Sequence, residues 1–327
     1  MSMLNLRQVE CFVCSVDHGT MTAAAEHLRL SQSAVSLSVA GLENALGTQL
    51  LLRRRSQGLA LTAAGRRFLP QARELLAHAE DVRADVQAQG QELTGDLVVG
   101  CYRTAAPFVL PGLLETFAAE HPRVQLEFIE GPLPELERSL RTGDCELALL
   151  YDLDVGAGIE CEPLYQTEPY VLLSPEHPLA ARDKPLRLRE LADHDLVMLD
   201  VPPSNAYFTG VFADAGLVPR VRFSVSSYEL LRSLVARNFG YGLLISRPSA
   251  DVSYEGRPLE ARRLAGPTLS IDVSLAWAAG VRRTRRARAF AEHCHRMLPH
   301  RLGSGVGAVR SVGKPSRVPK RGYENSS

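Results

Sequence analysis

The segment from Thr22 to Gly47 constrains this chain more than any other: TAAAEHL, a two-residue break at Arg29-Leu30, and then SQSAVSLSVAGLENALG. Two helices joined so tightly hold a fixed angle only if small residues stand at the crossing and apolar ones lock the pair. Ala25, Leu28, Leu30, Val35 and Val39 fall where that is required, which makes the segment a helix-turn-helix pattern. Thr22 is expected to open the first helix, which runs through Leu28. Ser31 is expected to cap the second, its hydroxyl accepting a bond from a free amide of the first turn. That second helix runs to about Leu46 and stops at Gly47. A helix over residues 5–17 precedes the pair and ends in a His18-Gly19 turn. Gly41, inside the second helix, costs about 1 kcal/mol against alanine, so a close packing neighbour is the reason to look for there.

The residues after Gly47 decide how the pair is read. QLLLRRRSQGLAL, over residues 49–61, reads as two short strands around a basic, glycine-bearing turn, which is a wing. A run of arginines is by itself most often a solvated turn; beside a helix-turn-helix, Arg53, Arg54 and Arg55 suit backbone phosphate or minor groove. A recognition helix reads base edges with its first two turns, so Gln32, Ser33, Ser36 and Leu37 are the candidates. Gln32 suits a bidentate pair with adenine, and the free amides near Ser31 suit a phosphate.

Thr62 then caps a helix to about Gln89, in which Phe68, Ala72, Leu75, Ala79, Val82 and Val86 step by 4, 3, 4, 3 and 4. That is heptad spacing. A seam of this length on a polar helix is expected to find its partner in the same helix of a second chain, so the protein is expected to be at least a dimer.

From Gly95 the pattern changes to strands alternating with helices. Strand-like runs lie at 97–101, 124–130, 147–150, 170–173, 196–199, 221–225, 242–246 and 273–278, with helical stretches near 108–120, 133–142, 205–215, 227–238 and 284–298. This spacing implies an α/β domain of parallel sheets covered on both faces. After about His300 the chain is glycine, serine, proline and basic residues and is expected to be a disordered basic tail over 301–327.

Composition narrows the function classes. The 37 basic and 37 acidic residues balance, so the whole-chain charge points to no partner and the local distribution carries the information. No run approaches the roughly 18 apolar residues of a membrane helix, so a cytoplasmic chain with no membrane partner is expected. Six cysteines are scattered among 327 residues, which argues against a disulfide framework. Cys11 and Cys14 have C-x-x-C spacing, but no second such pair or histidine pair follows, so helix packing is expected and no metal. Asp193-His194-Asp195 lies near serines, yet no G-x-S-x-G elbow follows a strand, and no nucleotide-binding loop occurs. No enzymatic activity and no cofactor are expected.

With these residues laid out, the chain resembles the LysR-type transcriptional regulators from about residue 4 to 298. The resemblance rests on Ser31-Gln32-x-Ala34-Val35-Ser36, Leu42-Glu43 with Leu46-Gly47, and Leu61-Thr62 with Ala64-Gly65; it continues through Gly95-x-Leu97-x-x-Gly100, Leu110-Pro111 and Phe117-x-x-x-His121-Pro122. It implies an N-terminal all-α winged helix-turn-helix with a long linker helix, then a C-terminal α/β two-lobed domain similar to periplasmic binding proteins. The implied domains are a DNA-binding domain over 1–62, a dimerisation helix over 63–92 and an effector-binding domain over 93–300. Lobe I of the latter would take 93–163 and 267–300, and lobe II 164–266, with crossings near Pro163 and Pro267 and the effector between them. The implied partners are double-stranded DNA, a small-molecule effector and further copies of the chain as homodimer or homotetramer, and the reading leaves room for RNA polymerase.

In such folds ligand contacts come from loops at the C-terminal ends of strands. Thr104 stands where the family commonly holds the ligand with a hydroxyl. The same reasoning offers Tyr102, Arg103, Pro132, Tyr151, Ser204, Asn205, Tyr207, Ser226 and Ser227. Pro132 and Tyr151 stand where many relatives use polar or basic groups, which points to a partly apolar or aromatic effector. Ser33 replaces a frequent proline and Leu37 a frequent basic residue; Leu37 suits a thymine methyl instead. The alternative reading is a redox sensor of the same architecture, built on Cys101, Cys145 or Cys161, though none has an evident basic neighbour to lower its pKa.

Overall fold

The computed structural model describes residues 4–54, 58–87, 92–182, 184–265 and 270–301. Helix α1 (Leu6–Asp17) is capped by Asn5. Helix α2 (Met21–Leu28) starts earlier than expected: the cap is Thr20, whose hydroxyl accepts from the Ala23 amide at 3.1 Å, whereas Thr22 lies inside the helix. Arg29, left-handed at φ 54°, turns the chain into α3 (Gln32–Leu46), where Ser31 accepts from the Ala34 amide at 3.1 Å and Gly47, at φ 64°, ends the helix. Val9, Cys11, Phe12, Cys14, Ala24, Ala25, Val35, Val39 and Leu42 are buried together, so both cysteines of the C-x-x-C pair pack in the core. Strands β1 (Leu51–Arg54) and β2 (Gly58–Leu61) pair antiparallel, and the Leu59 amide donates to the Gly19 carbonyl at 3.0 Å, tying the wing to the α1–α2 turn.

Helix α4 (Ala63–Gln87) is capped by Thr62, whose hydroxyl accepts from Gly65 N at 2.9 Å and donates to Gln49 O at 2.7 Å. The heptad seam divides here. Ala72 is buried in the winged domain's core and Phe68 packs against Phe12 with ring centroids 5.5 Å apart, while Leu75 and Val82 are exposed. The first part of the seam therefore has a partner within its own chain, α1. The side chain of Val86 lies outside the described residues.

The chain divides into two compact units. One is the chain up to Leu150 with Val155–Cys161 and Ala276–His293; the other is Tyr151–Asp154, Glu162–Leu275 and the chain from Cys294. The first continues through β3 (Gly95–Tyr102), α5 (Ala106–Glu120), β4 (Val124–Gly131), α6 (Leu133–Thr142), all but the last residue of β5 (Leu147–Tyr151) and the start of β6 (Ile159–Thr167). The second holds β7 (Tyr170–Leu173), β8 (Leu186–Arg187), α7 (Leu188–Leu191), β9 (Asp195–Leu199), α8 (Ser204–Asp214), β10 (Arg220–Val225), α9 (Tyr228–Ala236), β11 (Tyr241–Leu244) and β12 (Glu260–Ala265). Strand β13 (Ile271–Ala278) and helix α10 (Arg285–Arg301) complete the fold. The sheet orders are β4-β3-β5-β13-β6 and β10-β9-β11-β7-β12-β8.

The six-stranded sheet is mixed, not wholly parallel. β3 runs parallel to β4 and β5, and β9 to β10 and β11, but β7 is antiparallel to both β11 and β12. Parallel neighbours need a crossover, which α8 and α9 supply in the β9–β11 stretch; no helix stands between β11 and β12. The expected basic tail and the crossing near Pro267 lie outside the described residues. Among the described residues no helix is long and apolar enough to cross a membrane.

Candidate nucleic-acid interface and effector residues

The recognition helix presents two unlike faces. Val35, Val39 and Leu42 are buried, whereas Gln32, Ser33 and Leu37 are exposed, Leu37 by 74%, and Ser36 is half-buried between them. Positions 32, 33, 36 and 37 share one side of a helix by their spacing. The Ser31 and Ser33 hydroxyls lie 3.0 Å apart, so Ser31 links the helix cap to a residue of the exposed face. Arg53 and Arg54 stand in β1 opposite Leu59 and Gly58, and Arg55 lies outside the described residues.

Glu43 holds this geometry, and its role was not anticipated from the sequence. Its Oε1 accepts from the Leu50 and Leu51 amides at 2.7 and 3.0 Å, so a carboxylate on α3 fixes the strand that leads into the wing. Two amides on one carboxylate oxygen form charge-assisted bonds stronger than neutral ones. Gly41 has the close neighbour its position called for: a Cβ there would lie 2.6 Å from the Gln8 side-chain nitrogen.

In the first unit the predicted effector residues gather at the C-terminal end of the parallel strands. The pairs Cys101↔Glu130, Tyr102↔Gly131 and Cys101↔Leu149 bring the ends of β3, β4 and β5 level. Tyr102 and Thr104 are buried, Pro132 occupies the cap position of α6, and Arg103 is exposed with its guanidinium 3.6 Å from Glu130.

In the second unit the pair Val225↔Leu199 levels β10 with β9, and Asp200 N donates to Val225 O at 2.8 Å. This places Ser204 and Asn205, at the start of α8, at the same sheet end as Ser226 and Ser227, before α9. Ser204 is buried, and Ser226 and Ser227 are exposed. Two of these groups already serve the fold. Ser227 caps α9, accepting from Leu230 N at 3.3 Å, and Asn205 donates to Asp200 at 2.6 Å. Tyr207 packs edge-on against Phe208, and burial pushes its phenol up to about 12.

Tyr151 belongs to a hydroxyl cluster that sequence spacing does not reveal. Its OH lies 2.6 Å from Ser246 Oγ, while the Tyr170 and Tyr228 hydroxyls lie 3.2 Å apart and both donate to the Ser246 carbonyl. Burial pushes the Tyr170 phenol up to about 12 and Tyr228 higher still, so both act as neutral donors to the Ser246 carbonyl. Arg232 underpins the same region: its side chain is almost wholly buried, pairs with Glu229 at 2.9 Å and donates to the Ala250 and Val252 carbonyls.

A groove of about 590 Å³ in the first unit is lined by Arg73, Glu74, Asp81, Cys145, Trp277 and Arg283 among others, and by none of the predicted effector residues. Glu74 and Asp81 accept the backbone amides of Arg282 and Arg285, so this groove follows the attachment of α4 to the start of α10. As for the cysteines, Cys101 and Cys145 are buried and Cys161 is half-buried. Burial pushes the Cys145 thiol up to about 12, the reverse of what a redox-sensing thiolate requires.

A winged helix-turn-helix, a linker helix and two α/β units define a DNA-binding regulator with a ligand-binding part. Comparison with known proteins makes this specific. The family model described as LysR substrate binding domain matches residues 90–299, and that described as bacterial regulatory helix-turn-helix protein, lysR family, matches residues 6–66. The chain belongs to the LysR family of transcriptional regulators and carries its effector-binding domain. It is similar to the HTH-type transcriptional regulator CfxR of Cupriavidus necator, with 34% identity covering 74% of this chain and 75% of the relative. Among solved structures it resembles HinK, a LysR family transcriptional regulator from Pseudomonas aeruginosa, at 34% identity and TM-score 0.61, covering 90% of this chain and 99% of that one. Full-length OxyR from the same organism superposes with TM-score 0.73 at 25% identity, covering 90% and 95%.

Proposed function

We propose that this regulator reads double-stranded DNA with Gln32, Ser33, Ser36 and Leu37, anchored by the Ser31 end of α3 on a phosphate and by Arg53, Arg54 and Arg55 of the wing. The observation that carries this reading is the two-faced α3: its apolar side is buried and its polar first turns, with Leu37, are left to solvent. Gln32 pairs with an adenine edge and Leu37 meets a thymine methyl. The effector is a small, partly aromatic molecule held by hydroxyls and aromatic rings at the strand ends, from among Tyr102, Arg103, Thr104, Pro132, Tyr151, Ser204, Asn205, Tyr207, Ser226 and Ser227. The protein acts by binding alone, in the cytoplasm, as a homodimer or homotetramer joined through α4, and RNA polymerase is the partner through which bound protein alters transcription. The effector shifts the oligomer between arrangements that space or bend DNA differently.

The test is a fluorescence-anisotropy titration of the protein against DNA upstream of its own gene, with Gln32→Ala beside the unaltered protein. Loss of a bidentate base contact is worth about 1–3 kcal/mol, so specific affinity is expected to fall roughly tenfold or more. Sequence-indifferent binding that depends only on salt, equal for both proteins, would refute the recognition face.

A further inference from the structure

Cys14, His18 and His27 converge where the helix-turn-helix begins. Cys14 and His18 are one turn apart at the end of α1, and His27 lies in the last turn of α2. The Cys14 sulfur and a ring nitrogen from each histidine all lie within 4.8 Å of one another. The two imidazoles sit side by side, their centroids 4.6 Å apart and tilted by 38°. Cys14 is buried and engages only weakly, its sulfur 3.7 Å from the Ala24 carbonyl, whereas both histidines are exposed. A search by C-x-x-C spacing passes over this group, because the ligands stand four and nine residues apart along the chain.

We propose that Cys14, His18 and His27 form a site for a zinc-class divalent transition ion, with water as the fourth ligand. One thiolate and two imidazoles are the donors a borderline-soft, tetrahedral ion takes, and they exclude magnesium and calcium, which need oxygen ligands. With metal–nitrogen bonds near 2.0 Å and a metal–sulfur bond near 2.3 Å, the edges of such a set are about 3.3–3.6 Å. The ligand atoms therefore draw together by about 1 Å, which side-chain rotation of the two exposed histidines supplies without moving either helix. On binding, the Cys14 thiol releases its proton to solvent and its sulfur forms the metal bond in place of the contact to Ala24. The two neutral rings donate lone pairs, and no electron is transferred. The ion then staples α1 to α2, the pair that sets the angle of the recognition helix. Cys11, buried in the core, takes no part.

The test uses full-length reduced protein, stripped with a chelator and titrated with Co²⁺, then with Zn²⁺ in competition. The expected result is a single tightly held Co²⁺ with tetrahedral ligand-field bands and a thiolate-to-cobalt charge-transfer band, displaced by one equivalent of Zn²⁺. His18→Gln and His27→Gln, both at exposed positions, are each expected to weaken binding tenfold or more, and Cys14→Ala to remove the charge-transfer band. Should Cys14→Ala lose its native circular dichroism, the two histidine variants decide the matter on their own. Absence of a tetrahedral cobalt spectrum, a thiolate band that survives in folded Cys14→Ala, or affinity unchanged by both histidine substitutions would overturn the site.

Discussion

At the scale of single residues, Gly41 in α3 and Gly65 in α4 are both crowded but opposite in consequence. A Cβ on Gly41 meets the mobile end of Gln8, while a Cβ on Gly65 would lie 2.2 Å from the Leu50 carbonyl oxygen. Gly41→Ala is therefore expected to stabilise the domain by up to about 1 kcal/mol through helix propensity. Gly65→Ala is expected to cost about 2–4 kcal/mol, because backbone must move. Thermal unfolding of the two variants side by side checks both signs. Glu43 gives a second prediction: Glu43→Ala strands the Leu50 and Leu51 amides and is expected to cost about 2–3 kcal/mol, with Glu43→Gln, which keeps an acceptor, costing about half. Equal losses in the two variants would show that the bonds contribute nothing beyond charge. The Leu42-Glu43 pair was legible as part of a family pattern; which amides it holds was not, since that requires knowing where β1 begins.

At the scale of elements, the linker helix shows how one periodic pattern serves two partners. Phe68 and Ala72 face α1, whereas Leu75 and Val82, seven residues apart, are exposed. Leu75→Glu with Val82→Glu is expected to shift the protein to a smaller species in analytical ultracentrifugation while leaving its melting temperature nearly unchanged. Phe68→Ala is expected to do the reverse, lowering stability by about 2–4 kcal/mol with the association state kept. If the double substitution leaves the sedimentation unaltered, α4 is not the association surface. The β-strands show a related limit. Runs such as 170–173 and 196–199 were visible because they are uninterrupted and apolar, but β6 and β12 were missed, since Pro163 and the charged EARR stretch mask their pattern. Strand direction was misread for β7 because periodicity carries no information on which neighbour a strand takes.

At the scale of the whole molecule, a titrating group couples the second unit to pH. His177 is buried, accepts from the Leu179 amide at 3.2 Å through Nδ1, and lies 4.7 Å from the His194 ring. Burial first, and the His194 charge second, push its pKa down to about 4. The unfolded chain takes up a proton near pH 6.5 that the folded one refuses until about pH 4, so stability is full above 6.5 and falls as pH drops through that window. The expected loss is about 3 kcal/mol by pH 4 relative to His177→Asn, whose amide oxygen can accept from Leu179 but does not titrate. Parallel melting curves of the two proteins between pH 7 and 4 would refute this assignment.

The sequence by itself determined the helix-turn-helix, the wing, the linker helix and the α/β character of the remainder, because each is written in local spacing, caps and turn residues whose physics acts over a few positions. It also singled out the exposed face of α3, since burial of Val35 and Val39 dictates what is left outside. Only the tertiary structure decided that Glu43 holds β1, that Tyr151, Tyr170, Tyr228 and Ser246 share one hydroxyl cluster, and that His27 meets Cys14 and His18. Those contacts join residues distant along the chain or on separate elements, and their geometry follows from how the elements pack, which local periodicity does not encode.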